Sequence, residues 1–155
     1  MPASLHARQG EAAALKRLGE LLGTQRGRFE EYLQVLDGQF EAIQTGTAES
    51  LAAHIRLEEK LAQDIFALRK VIDPLEAICP LNGLSGEEAG ICGLKSALEE
   101  LRQEAALRIS RNKDLLTKRM EEVRSELKAM RGNPYAVRRS IYADSLAPSM
   151  IDIQG

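Results

Sequence analysis

Tryptophan is absent from this 155-residue chain, and aromatics make up only 4 % of it, so any core must be aliphatic. Its two cysteines, Cys79 and Cys92, stand thirteen residues apart, and its two histidines, His6 and His54, lie far from both. Tetrahedral zinc needs four ligands at close spacing, which this set cannot supply. A disulfide is not expected in a reducing compartment, so both thiols read as small buried apolar groups. No run of about 18 apolar residues occurs, and no apolar stretch follows a basic start. Neither a membrane span nor a signal peptide is therefore expected, and the chain reads as soluble and cytoplasmic. There is no GK[ST] phosphate loop, no nucleophile elbow and no histidine paired with acids at ligand spacing. The glycines of 86–93 lack the preceding strand that a dinucleotide site requires. Neither an enzyme nor a cofactor is expected.

What the chain has in quantity is Leu, Ala, Glu, Lys, Arg and Gln, the composition of long helices and coiled coils, with a hydrophobic fraction of 44 %. Its net charge of −2 is unevenly spread: residues 102–139 hold 11 Lys and Arg against 5 Asp and Glu, net +6, which leaves −8 elsewhere. Such asymmetry can mark an acidic partner or a nucleic acid. However, residues 94–131 offer no aromatic for base stacking, and Glu104–Arg108 and Asp114–Lys118 are i,i+4 pairs in the favourable order. A solvated helix face is the preferred account, and no nucleic-acid partner is expected.

The longest pattern runs through Leu94, Leu98, Leu101, Ala105, Ile109, Asn112, Leu116, Met120, Val123, Leu127 and Met130. Its steps of three and four match the helical repeat, and no Pro or Gly interrupts it. At 1.5 Å per residue this stretch is about 55 Å long, more than a compact single core needs. It begins either near Gly86, where Ser85 and Glu88 could form a capping box, or near Leu94. Gly132-Asn133-Pro134 ends it.

Two earlier helices accompany it. The first spans about Glu11 to Ile43, with Leu15, Leu18, Leu22, Gln25, Phe29, Leu33, Leu36, Phe40 and Ile43 on one face, while residues 1–10 fray. Gly19, Gly23 and Gly27 lie off that face and read as a weak first half or, more sharply, as a groove for a partner helix. Gly46 suits a left-handed helix end and Thr47 a cap, which makes the next helix an antiparallel neighbour. That helix carries Leu51, Ile55, Leu61, Ile65, Leu68, Ile72 and Leu75 inward and kinks or breaks at Pro74. Glu58 interrupts its inner face level with Tyr32. It is met by the Tyr32 hydroxyl or by Arg108 or Arg111, or else it reaches sideways to water.

The expected fold is thus all-α: an elongated three-helix antiparallel bundle over 1–132, a helical hairpin plus a longer third helix, with an extended tail over 133–155. Register from the 45–47 turn leaves the last turns of helix three beyond the hairpin. There Leu116, Met120, Val123, Leu127 and Met130 either accept another helix or are ordinary core beneath the tail. The tail carries Tyr135, Ile141, Tyr142 and Ile151 and is too apolar for ordinary disorder. It reads as a strap over the bundle or a linear docking peptide.

Residues 39–65, QFEAIQTGTAESLAAHIRLEEKLAQDI, and the closing PYAVRRSIYADSLAPSMIDIQG of 134–155 resemble the FlgN-like flagellar export chaperones. The loop at 80–93 is richer in glycine than that family's pattern. The resemblance implies a cytoplasmic chaperone of flagellar type III export that holds hook-associated (hook–filament junction) proteins and delivers them to the export gate. It places client binding in the C-terminal region, here Leu116, Met120, Val123, Leu127 and Met130. Tyr135, Ile141, Tyr142 and Ile151 would then close over the client or dock at the gate. The alternative is a structural coiled-coil adaptor in which helix three pairs with its own copy.

Overall fold

The computed structural model describes residues 2–79 and 86–132, with side chains from residue 4 onward. The expectations for Ser85 and for the tail residues Tyr135, Ile141, Tyr142 and Ile151 lie outside the described residues. Among the described residues there are three helices: α1 (Pro2–Thr45), α2 (Ala48–Ile78) and α3 (Gly86–Gly132). The chain is all-α, a three-helix bundle. It divides into two compact units, Met1–Leu115 and Leu116–Gly155. α3 begins at the earlier of its two expected starts, and α1 begins at Pro2 instead of fraying to Gly10. Proline is tolerated in a first helical turn, where its missing N–H has no partner in any case.

The α1–α2 turn is set by two residues. The Thr47 side chain accepts from the Ser50 backbone N–H at 3.1 Å, capping α2 as its sequence position implies. Gly46 donates to the Ala42 carbonyl at 3.0 Å. Its φ lies outside the left-handed region, and glycine is needed for a different reason: a Cβ there would sit 2.7 Å from Ala42 Cα. α2 passes through Pro74 to Ile78 without breaking. Pro74 removes the hydrogen bond that the Lys70 carbonyl would accept, and both residues are exposed, so water can reach that carbonyl.

Within the first unit, α1 and α2 run antiparallel and α3 runs alongside α1, with Ile91 beside Gly19 and Asn112 beside Leu36. The main apolar cluster holds Leu18, Leu21, Leu22 and Phe29 of α1, Ile72 of α2, and Ile91 and Leu98 of α3. Cys79 is buried with them, whereas Cys92 is exposed, contrary to its expected burial, and both are free thiols. A second cluster of Tyr32, Leu33, Leu36, Leu61 and Ala105 continues the core toward the α1–α2 turn.

Beyond it the interior turns polar. The Tyr32 hydroxyl donates to Glu58 Oε1 at 3.0 Å, and the Gln39 amide donates to Glu58 Oε2. Asn112 Nδ2 donates to the Leu36 carbonyl at 2.8 Å and to Gln39 Oε1 at 3.3 Å. This chain of bonds ties all three helices at one level, where any axial slip would orphan buried polar atoms. Two expected inward positions differ here. Ile55 is exposed because His54 takes the inner place, its imidazole lying over Gly38, where a Cβ would be 2.5 Å from Nε2. Ile109 is also exposed, because Arg108 turns inward to reach the Leu33 carbonyl at 3.2 Å.

Candidate helix-docking face

The late turns of α3 belong to the second unit. Residues 116–131 are mostly Leu, Met, Lys, Arg, Glu and Ala, all strong helix formers, without Gly or Pro. Arg119 and Glu122 form an i,i+3 ion pair at 3.3 Å, and Arg131 in the last turn complements the negative end of the helix dipole. The helix thus persists here on local terms.

Burial does not support it: every residue from Thr117 to Gly132 is exposed. Met120 is 48 % exposed, Val123 53 %, Leu127 51 % and Met130 52 %, and Leu116 is half-buried. Spacings of four, three, four and three place these five side chains on one stripe at heptad intervals, the seam of a coiled coil. Single exposed apolar residues are ordinary, whereas an aligned row of four is a surface that a second helix can cover. Two of the four are Met, whose flexible thioether adapts to differently shaped partners.

Fully burying such a side chain is worth about 1.5–3 kcal/mol, so covering the exposed half of each gains roughly 1 kcal/mol. Four of them give roughly 4 kcal/mol, no more than the lower bound of what association costs in lost freedom. The seam alone would hold a partner only weakly. Further contacts must come from its charged borders or from elsewhere in the chain.

Elsewhere the described residues provide little that is reactive. No group of three or more His, Cys, Asp and Glu among them is placed to hold a metal ion. No helix among them is long and apolar enough to cross a membrane. Tyr32 has a pKa raised well above the phenol range, first by burial, then by the Glu58 carboxylate and the hydrogen bond to it. That carboxylate is engaged by the Tyr32 and Gln39 side chains. Arg108 and Arg111, the other proposed partners of Glu58, bind Asp37 instead, at 3.0 and 3.1 Å. Arg111 also stacks on the Phe40 ring at 4.1 Å. The apolar periodicity assigns Asp37 no role. Its signal is its place one turn after Leu33 on α1, facing the Arg108–Arg111 turn of α3.

An uncharacterized protein of Treponema pallidum (strain Nichols) is 34 % identical over 119 residues, which cover 77 % of this chain and 76 % of that protein. The chain belongs to its family. No family model and no solved structure matches the chain. The relative's description assigns no activity, so any role for the α3 face rests on its own chemistry and on the resemblance drawn from residues 39–65 and 134–155.

Proposed function

We propose that the protein is a holding chaperone for amphipathic helices, acting in the cytoplasm in flagellar type III export. Its clients would be hook-associated (hook–filament junction) proteins, whose terminal helices lack their assembly neighbours before export. Met120, Val123, Leu127 and Met130, with Leu116 at the inner end, form the capture seam. Tyr135, Ile141, Tyr142 and Ile151 add contacts to the client or to the export gate, which the small area of the seam requires. The observation that carries this reading is the half-exposed heptad row on late α3. The FlgN-like pattern of 39–65 and 134–155 supplies the pathway. Capture by helix-in-groove packing needs no nucleotide, metal or covalent step, so no enzymatic activity or cofactor is assigned.

The test is capture of purified hook-associated proteins by the full chain and by Leu127→Asp/Met130→Asp. The double variant should lose capture, with its helicity and melting temperature unchanged. Unimpaired capture would sink the seam assignment. The heptad spacing also suits a structural adaptor that pairs α3 with a second copy. Sedimentation distinguishes the two, since a dimer that survives client addition supports the adaptor.

A further inference from the structure

The charges bordering the capture seam specify the kind of helix that fits it. At 100° per residue, Arg124 and Arg131 fall together on one border of the Leu116–Met130 stripe, and Arg119 and Glu126 fall on the other. The borders therefore carry three cations and one anion. Arg119 also has an intrahelical partner in Glu122, both side chains about half exposed. The border formed by Arg124 and Arg131 is wholly cationic.

A second copy of α3 fits these borders poorly. Paired in parallel, each Arg119 would face Arg124 of the other copy, which cancels the attraction between Glu126 and Arg131. Paired antiparallel, the Arg124–Arg131 border would face itself, which cancels the attraction between Arg119 and Glu126 on the other border. A helix bearing carboxylates on both edges of its apolar stripe meets attraction at three border positions out of four. Arginine favours this pairing further, because its planar fork accepts a carboxylate through two hydrogen bonds.

We infer that the α3 seam takes an acidic-bordered amphipathic helix: apolar residues at heptad spacing fill the stripe, with Asp or Glu flanking them against Arg124 and Arg131. This rests on the helix-capture reading and adds the charge class of the partner. Charge complementarity of this sort acts on selectivity and association rate more than on total affinity.

Three labelled synthetic helices with the same Leu heptads, and Glu, Gln or Lys at every border position, test this by fluorescence anisotropy with the full chain. The Glu helix should bind tightest and the Lys helix weakest, with about a tenfold gap between the extremes at low salt. The gap should shrink as salt rises from about 50 to about 500 mM, because exposed pairs are screened. Arg124→Glu/Arg131→Glu should reverse the order with the chain still folded, and Arg124→Gln/Arg131→Gln should flatten it. Equal binding of all three helices, lost in Leu127→Asp/Met130→Asp, would overturn the acidic preference and leave helix capture standing. Binding of none would remove both. A dimer that the Glu helix fails to displace would make a second copy the occupant. That result overturns the inference.

Discussion

Glu58 shows how a half-buried carboxylate is accommodated in this bundle. Its two oxygens accept from Tyr32 and from Gln39, and Gln39 in turn accepts from Asn112. Removing one member leaves the next short of a partner, a loss of about 1–3 kcal/mol for a buried group. Asn112→Leu should therefore destabilise by about that amount despite its better hydrophobicity, as measured by urea unfolding. Tyr32 adds a pH dependence. Its folded pKa lies above the unfolded value near 10, so its contribution is complete below about pH 10 and falls as pH rises beyond that. Above about pH 10 wild type should lose stability more steeply than Tyr32→Phe. Melting curves at matched ionic strength check this, and identical slopes would show that the hydroxyl is not held as described. Turn register puts Tyr32 level with Glu58 but leaves Arg108, Arg111 and water as alternatives; the structure selects Tyr32 and adds Gln39. The pairing of Arg108 and Arg111 with Asp37 was not legible, because helical period gives the face of a long arginine and not the direction in which its guanidinium extends.

Among the helices, α1 shows most clearly what periodicity can read. Leu18, Leu22, Gln25, Phe29, Leu33 and Leu36 are all buried as their spacing implies. The glycines divide by surroundings. A Cβ at Gly23 or Gly27 would meet nothing within 4 Å, so alanine there keeps the helix and should stabilise it by up to about 1 kcal/mol per site. At Gly46 the same change drives a Cβ into the Ala42 backbone and should cost about 1–3 kcal/mol through steric overlap. Thermal melts of the three single variants would settle the signs, and a destabilising Gly23→Ala would mean that this surface is covered in solution. Ile55 and Ile109 mark the limit of the pattern. Each was assigned inward by spacing, and each yields its place to a neighbouring polar side chain, His54 or Arg108. Near the polar end of the core a hydrogen bond or an open glycine face outweighs one apolar contact.

The molecule as a whole separates residues that hold the fold from residues that leave it a free surface. Leu18 is fully buried, and Leu18→Ala should cost about 2–5 kcal/mol. Leu127, equally apolar and equally in phase with its helix, is half exposed, and Leu127→Asp should change stability by less than about 0.5 kcal/mol. Chemical denaturation of the two variants checks the contrast. Comparable losses would mean that Leu127 is packed in solution and is no docking residue.

The sequence by itself determined three helices, most of their buried faces, the Thr47 cap and a heptad row on late α3. All of these follow from local propensity and a repeat of 3.6 residues. Only the tertiary structure decided that Asp37 gathers Arg108 and Arg111, that His54 displaces Ile55, and that Met120 to Met130 stay open to water. Those outcomes depend on what lies opposite each side chain, and a one-dimensional period carries no information about the facing helix.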